Sequence, residues 1–92
     1  MIRSFRHRGL KRFFMRGDYR GIQPQHAPRL ERLLDRLDAA ARPEDMNLPG
    51  YDFHELKGQR KGTFAVKVSG NWRLTYRFEG EDATDVDLED YH

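Results

Sequence analysis

The chain of 92 residues contains four histidines, and two of them lie in contexts that suit acid–base chemistry. His54 lies beyond the middle of the sequence, and the last residues read Asp90-Tyr91-His92. Imidazole titrates near neutral pH, so one histidine can take the proton of a ribose 2′-hydroxyl while another protonates the leaving 5′-oxygen. An aspartate can orient a histidine, and a tyrosine can stack on a base or share a proton. These residue types therefore suit RNA cleavage without a metal ion.

Positive charge that could stabilise a scissile phosphate is concentrated in two segments. Residues 1–20 hold seven cations against one acid, and residues 54–77 hold six cations against one acid. Residues 79–90 hold seven acids and no cation, although the formal net charge of the chain is only +2. A basic side of this kind favours a nucleic acid or an acidic protein as partner. The candidate cations for the chemistry are Lys57, Arg60 and Arg73.

Other kinds of site find little support in the sequence. The chain has no cysteine, which excludes disulfides, thiolate metal sites and a cysteine nucleophile. The spacing of His54, His92 and the acids near the end of the chain matches no metal-binding motif, so we expect neither a metal ion nor a cofactor. The other two histidines, His7 and His26, are interpreted as surface or helix-capping residues.

Length and hydropathy limit the class of protein. A chain of 92 residues with 37% apolar residues has room for one small core, which predicts a single domain over residues 1–92. No run of 18 apolar residues is present, and the first residues lack the apolar core of a signal peptide. We therefore expect a soluble cytoplasmic protein without a membrane span.

The first half of the chain has helical periodicity. Apolar residues spaced by three and four within residues 10–14 predict a short amphipathic helix that ends near Gly17. A second apolar stripe predicts a longer helix that begins near residues 25–26 and ends at residues 42–43. Pro28 is compatible with that helix only in its first turn.

From residue 50 onward the hydrophobic period changes from 3.6 to 2. A short strand is also predicted over residues 2–5, and the last run places Thr84, Val86 and Leu88 on the apolar face. Helices followed by an antiparallel meander with one apolar face predict an α+β fold in two layers, with two N-terminal helices packed on one face of a twisted sheet. The alternating runs that predict these strands cover residues 51–56, 63–68, 72–78 and 84–88.

The register of the central hairpin bears on the charge of the other face. A three-residue loop between its strands places Lys67 opposite Arg73, and like charges in direct opposition are unfavourable. This favours either a phosphate-binding face or a face that the acidic last strand neutralises. A five-residue turn before the last strand would place Glu89 opposite Arg73. The same turn would place Asp85 opposite Arg77, and the sequence alone leaves both interpretations open.

Four short motifs are specific when they are taken together. Residues 46–50 read Met-Asn-Leu-Pro-Gly, and residues 54–62 read His-Glu-Leu-Lys-Gly-Gln-Arg-Lys-Gly. Residues 69–73 read Ser-Gly-Asn-Trp-Arg, and residues 90–92 read Asp-Tyr-His. In this combination the sequence resembles the HigB-type toxins of the RelE/ParE superfamily of bacterial toxin–antitoxin systems. The resemblance covers essentially the whole chain.

The resemblance implies a RelE-like α+β fold and a ribosome-dependent endoribonuclease that cleaves mRNA in the ribosomal A site. It implies as partners the ribosome, mRNA and an antitoxin with a helix-turn-helix domain. The catalytic residues that it implies are His54, Asp90, Tyr91 and His92, with the roles of the two histidines left open. Strand alternation places Asp90 and Tyr91 on opposite faces, so the tail must bend to present both with His92. The RNA- or phosphate-binding residues that it implies are Lys57, Arg60, Lys61 and Arg73.

Two other function classes remain as alternatives. A gyrase-poisoning toxin of the same superfamily acts by protein contact and does not need His54 or the Asp90-Tyr91-His92 ending. A plain RNA- or protein-binding module would keep its activity without the last three residues. A base-stacking surface needs exposed aromatic rings among cations, whereas most aromatic residues of the predicted strands share the apolar face.

Overall fold

Two α-helices cover one face of a four-stranded antiparallel sheet in the computed structural model, which describes residues 1–91. The strands follow one another across the sheet in chain order, so the sheet is a simple meander. This architecture confirms the predicted α+β fold with two layers. The elements are α1 Arg8–Arg16, α2 Ala27–Ala39, β1 His54–Glu55, β2 Phe64–Ser69, β3 Trp72–Glu79 and β4 Asp82–Asp90.

Residues outside the helix determine both ends of α1. The Nδ1 atom of His7 accepts a hydrogen bond of 3.0 Å from the backbone N–H of Leu10, so His7 caps the helix as predicted. Gly17 adopts a φ of 70°, a left-handed conformation that glycine reaches without steric cost. Its backbone N–H donates to the Phe13 carbonyl at 2.9 Å and so ends the helix where the sequence predicts.

The second helix is shorter than its apolar stripe predicts. A separate 3₁₀ turn occupies Pro24–His26, so α2 begins at Ala27. It ends three residues before the predicted position because Ala40 adopts an extended conformation, with φ −72° and ψ 144°. The side chains that α2 packs against the sheet are fully buried, and they form the centre of the core. These residues are Leu30, Leu33, Leu34 and Leu37.

The expectation that His26 is a surface or capping residue is wrong. His26 is only 3% exposed, and its side chain makes no capping hydrogen bond. The turn Pro24–His26 directs the imidazole against the indole of Trp72, with 5.5 Å between the ring centroids. The ring therefore belongs to the interface between the helices and β3.

The inner face of the sheet, which the helices cover, carries the predicted apolar side chains. Leu74 and Tyr76 of β3 and Val66 of β2 are fully buried. The Cα partners Val66 and Leu74, and also Lys67 and Arg73, confirm the predicted register away from the loop. The predicted three-residue loop is wrong, because the register shifts between Lys67 and Ser69 and Ser69 pairs with Trp72, which leaves two residues in the loop. Period-two alternation therefore separates an apolar inner face from a charged outer face.

The turn between β3 and β4 differs from the prediction. Glu79 pairs with Asp82, so two residues form the turn rather than five. Gly80, the first of them, has a φ of 62°, which the tight hairpin turns with positive φ require. The five-residue turn, on which one of the two open interpretations of the outer face depended, is therefore not present.

A β-bulge restores part of the register that the five-residue turn would have given. Asp85 has a φ of 53°, and the pairing of β3 with β4 shifts by one residue at this point. On the side of the turn, Arg77 pairs with Thr84 rather than with Asp85. On the far side of the bulge, Arg73 pairs with Glu89 as predicted.

The bulge also changes which residue at the start of β4 enters the core. Ala83 is fully buried in the core cluster, whereas Thr84 lies opposite Arg77. The predicted position of Thr84 on the apolar face is therefore wrong. Val86, beyond the bulge, is fully buried as the alternation predicts.

The segment before α1 lies along the free edge of β4. Ile2 and Phe5 form isolated parallel bridges with Ala83 and Val86, in place of the predicted strand over residues 2–5. The backbone N–H of Arg3 donates to the Ala83 carbonyl at 2.7 Å. These bonds cover an edge that would otherwise present unpaired backbone groups.

Leu37→Ala should lower the free energy of unfolding by about 2–5 kcal/mol, because it removes buried methyl groups and leaves a cavity. The neighbouring exposed substitution Arg36→Ala should change it by no more than about 0.5 kcal/mol. Urea denaturation followed by circular dichroism measures both values. Equal midpoints for the two variants would contradict the assignment of Leu37 to the core.

Candidate active site

The face of the sheet opposite the helices carries half of the predicted site residues. Cross-strand partners share a face, so the register assigns a row of polar side chains to it. We call this the outer face. Its residues in β1–β4 include His54, Ala65, Lys67, Arg73, Thr75, Arg77, Asp87 and Glu89.

A hydrogen bond joins the two edges of the outer face. The Nε2 atom of His54 lies 3.0 Å from the hydroxyl oxygen of Tyr91, and its Nδ1 atom lies 3.1 Å from the backbone carbonyl oxygen of Asp52. A carbonyl oxygen only accepts, so Nδ1 carries a hydrogen in that bond. In the neutral imidazole, Nε2 then holds the lone pair and the Tyr91 hydroxyl donates to it. The basic nitrogen of His54 therefore faces Tyr91.

Asp52 positions two members of this group, although sequence analysis did not single it out. It adopts a φ of 50°, a left-handed conformation that aspartate reaches more often than most residues. Its carbonyl accepts from His54, and its carboxylate lies 3.9 Å from an Nη atom of Arg73. The sequence feature that could have indicated a role for Asp52 is its position two residues before His54, in an irregular segment.

Arg73 supplies a fixed positive charge beside Tyr91. Its side chain is 16% exposed, and its guanidinium carbon lies 5.8 Å from the centroid of the Tyr91 ring, within the range of a cation–π contact. Its Nη1 atom donates to the carbonyls of Gly70, at 2.6 Å, and Trp72, at 3.1 Å. Its Nε atom is buried and makes no hydrogen bond with the described residues. Backbone acceptors therefore hold the guanidinium in place, and the exposed Asp52 carboxylate compensates its charge only through a long ion pair of 3.9 Å.

Glu89 neutralises Arg60 rather than its cross-strand partner Arg73. Arg60 ends the 3₁₀ turn Gly58–Arg60, and its two Nη atoms donate to both carboxylate oxygens of Glu89 at 2.8 and 2.6 Å. The hydroxyl of Thr75 donates to the same carboxylate at 2.5 Å. The hydrogen bonds from Arg60 hold the pKa of Glu89 below its ordinary value of 4.5, although partial burial opposes the shift. The outer face is thus neutralised at its centre.

Lys57 and Lys61 lie in the segment that follows β1 and its His54. They flank the turn Gly58–Arg60, which joins β1 to β2, and both are exposed. Neither ammonium group makes an ion pair or hydrogen bond with another of residues 1–91. They are free to meet an anion that approaches this edge of the sheet.

The last described residues, Asp90 and Tyr91, continue the pairing of β4 with β3. Asp90 is exposed and pairs with Trp72, whose side chain packs on the core side of the sheet. The backbone N–H of Tyr91 donates to the Asn71 carbonyl at 3.1 Å, which extends the ladder by one residue. Asp90 and Tyr91 therefore stay on opposite faces, with no bend between them. The prediction for His92 lies outside the described residues.

The assembled group offers a proton acceptor, a hydroxyl donor and a guanidinium cation in one small area. These are the Nε2 atom of His54, the hydroxyl of Tyr91 and the side chain of Arg73. Within residues 1–91, no three histidine, cysteine, aspartate or glutamate side chains lie close enough together to hold a metal ion. In the same part of the chain, no helix has the length and apolar character required to cross a membrane.

Comparison with known proteins assigns the chain to a family. The sequence model of the HigB-like toxin family, which describes the RelE-like toxin of the type II toxin–antitoxin system HigB, matches residues 3–92 of this chain. The chain belongs to this HigB-like toxin family. The toxin is 39% identical over 92 residues to the protein named Endoribonuclease HigB from Proteus vulgaris, and the match covers 100% of both chains. A type II toxin has an antitoxin as its partner, so the family membership implies one here.

The lowered pKa of Glu89 predicts a pH-dependent contribution to the stability of the toxin. A carboxyl group with a lowered pKa stabilises the folded state above the pKa of the unfolded chain, and this contribution is lost as the pH falls through the folded value. Glu89→Gln should therefore lower the urea midpoint at neutral pH, and the difference from wild type should shrink below about pH 4.5.

The matched control is Glu81→Gln, because Glu81 is exposed in the β3–β4 turn. Its midpoint should follow that of the wild-type toxin across the same pH series. A difference between wild type and Glu89→Gln that stays constant down to about pH 3 would contradict the ionised Arg60–Glu89 pair.

Proposed function

We propose that this toxin is a ribosome-dependent endoribonuclease that cleaves mRNA in the ribosomal A site by metal-independent acid–base catalysis. The family match supports the toxin part of this proposal, and the full-length similarity to a protein named an endoribonuclease supports the RNA cleavage. The single structural observation that supports the chemistry is the hydrogen bond between His54 and Tyr91, with the Arg73 guanidinium beside it.

The proposed reaction begins when the 2′-oxygen of the substrate attacks the adjacent phosphorus. His54 takes the 2′-hydroxyl proton at Nε2, in the place that the Tyr91 hydroxyl occupies in the free toxin. Arg73 and Lys57 stabilise the charge on the non-bridging oxygens. The bond from phosphorus to the 5′-oxygen then breaks, and His92 protonates that oxygen. The products are a 2′,3′-cyclic phosphate and a 5′-hydroxyl end.

Supporting roles follow from charge and exposure. Lys61 binds a flanking phosphate, because its side chain is exposed and unpaired among the described residues. Arg60 contributes less to phosphate binding than Arg73 does, since Glu89 already neutralises it. Asp90 orients the tail from the opposite side of the sheet.

In this proposal the ribosome positions the mRNA for cleavage by the toxin. The free toxin holds few catalytic groups, and bringing a 2′-hydroxyl in line with its phosphorus is entropically costly. A ribosome that holds the mRNA in the A site supplies this positioning, so the toxin acts in the cytoplasm where ribosomes lie. The antitoxin partner carries a helix-turn-helix domain in this proposal. The match to HigB-like toxins does not favour the alternative of a gyrase-poisoning toxin.

His54→Ala should lower the rate of mRNA cleavage on programmed ribosomes by about 10²–10⁴-fold, because it removes the proton acceptor. Tyr91→Phe keeps the ring beside Arg73 but loses the hydroxyl, so it should have a smaller effect. His92→Ala should also lower the rate, since it removes the proposed acid. Primer extension on the cleaved message measures all three rates.

The control for loss of an imidazole is His7→Asn, because asparagine preserves the helix cap at that position. This variant should cleave at the wild-type rate. The assignment fails if His54→Ala, folded as judged by circular dichroism, cleaves as fast as His7→Asn.

A further inference from the structure

A cleft of about 300 Å³ opens on the outer face, beyond the Arg60–Glu89 pair. It lies on the side of the β3–β4 turn, away from His54 and Tyr91. Two of its arginines, Arg6 and Arg77, belong to no site described above. The residues that line the cleft are Arg6, Gln59, Arg60, Thr63, Thr75, Arg77 and Asp85.

The two additional arginines keep their charge uncompensated by direct ion pairs. Arg77 donates from Nη1 to the hydroxyl of Thr63 at 3.0 Å and to the backbone carbonyl of Lys61 at 3.5 Å, and both acceptors are neutral. Arg6 is exposed, and its guanidinium makes no ion pair with a carboxylate of residues 1–91. Asp85 contributes one negative charge to the lining of the cleft. The cleft therefore has a net attraction for an anion.

The distance from this cleft to the candidate catalytic group suits one extended ligand. Arg73, Thr75 and Arg77 are alternate residues of β3 and share the outer face. At the usual rise of a strand, Arg77 lies about 13 Å from Arg73 along β3. The neutral pair of Arg60 with Glu89 lies between them. Along β3 the outer face thus has a cationic position at Arg73 and another at Arg77, with the neutral pair between them.

We propose that the cleft between Arg6 and Arg77 binds an RNA phosphodiester group, while the phosphate that is cleaved lies at Arg73. This inference rests on the proposed function, since it takes the ligand to be RNA. Guanidinium groups present several donors in a plane and bind phosphate oxygens in pairs, and the Thr63 hydroxyl, which accepts from Arg77, can donate its own hydrogen to a phosphate oxygen. The Arg60–Glu89 pair leaves no free cation at the centre to hold a phosphate, so the two phosphate positions stay separate.

Salt-dependent binding tests the cleft without requiring cleavage. The ligand is a short single strand of RNA with 2′-O-methyl groups, which lacks the attacking hydroxyl. Arg6→Gln and Arg77→Gln should each reduce the slope of log K against log salt by about 0.7, the value expected for one lost phosphate contact on a single strand. The double variant should lose about twice as much. Arg36→Gln, on the exposed side of α2, is the matched control and should keep the wild-type slope.

A second arm of the experiment distinguishes the source of the phosphate. Binding of the same variants to ribosomes without mRNA reports contacts with ribosomal RNA. Loss of slope with the free strand assigns the cleft to mRNA, and loss only with empty ribosomes assigns it to ribosomal RNA. Wild-type slopes for the folded double variant in both arms would overturn the proposal. Arg6→Gln keeps the test decisive if Arg77→Gln fails to fold, because Arg6 is exposed.

Cleavage of mRNA on programmed ribosomes by the wild-type toxin separates this inference from the proposed function. If the wild-type toxin cleaves and the slopes do not change, the cleft proposal is wrong and the proposed function stands. If the wild-type toxin does not cleave mRNA, while both arginine variants show a reduced slope of log K against log salt, the cleft binds RNA and the proposed function is wrong.

Discussion

One extra residue in β4 determines which side chains the end of the chain presents on the outer face. Successive residues of a strand point to opposite faces, so a shift of one residue exchanges the faces of everything that follows. Without the bulge at Asp85, the two-residue turn would place Glu89 on the inner face with the core. With the bulge, Glu89 faces Arg73, and Tyr91 comes within 3.0 Å of His54. The candidate site therefore depends on a backbone irregularity some distance from it.

The outer face has a neutral centre beside its cations, rather than a uniform positive charge. Glu89 binds Arg60 through two hydrogen bonds, so the centre of the face is neutral although the surrounding segment is rich in cations. Arg73 escapes this neutralisation because the carbonyls of Gly70 and Trp72 hold its guanidinium elsewhere. For the RNA binding that we propose for this face, the neutral Arg60–Glu89 pair at its centre limits where phosphates can bind. It thereby favours a defined path of the strand over unspecific attraction.

The sequence predicts the parts of this structure that follow from local periodicity. Two amphipathic helices and an alternating meander suffice for the two-layer fold, whereas the pairing of Arg73 with Glu89 comes from the bulge and not from the five-residue turn that would also have given it. The bulge at Asp85 leaves no trace in a hydrophobic pattern, because a single positive φ shifts the register without changing residue types. The carbonyl of Asp52 and the reach of Arg60 across to Glu89 depend on irregular turns. Those contacts arise from tertiary geometry, which spacing along the chain does not encode.

The most direct test of the account is the chemistry of the ends that the toxin leaves on a ribosome-bound message. The measurement compares an all-RNA message with one that carries a single 2′-deoxynucleotide on the 5′ side of the cut, and it identifies the products by mass spectrometry. Attack by the 2′-oxygen predicts a 2′,3′-cyclic phosphate and a 5′-hydroxyl from the first message and no cut at that position in the second. Cleavage of the deoxy message at the same position, or a 5′-phosphate end, would contradict the account.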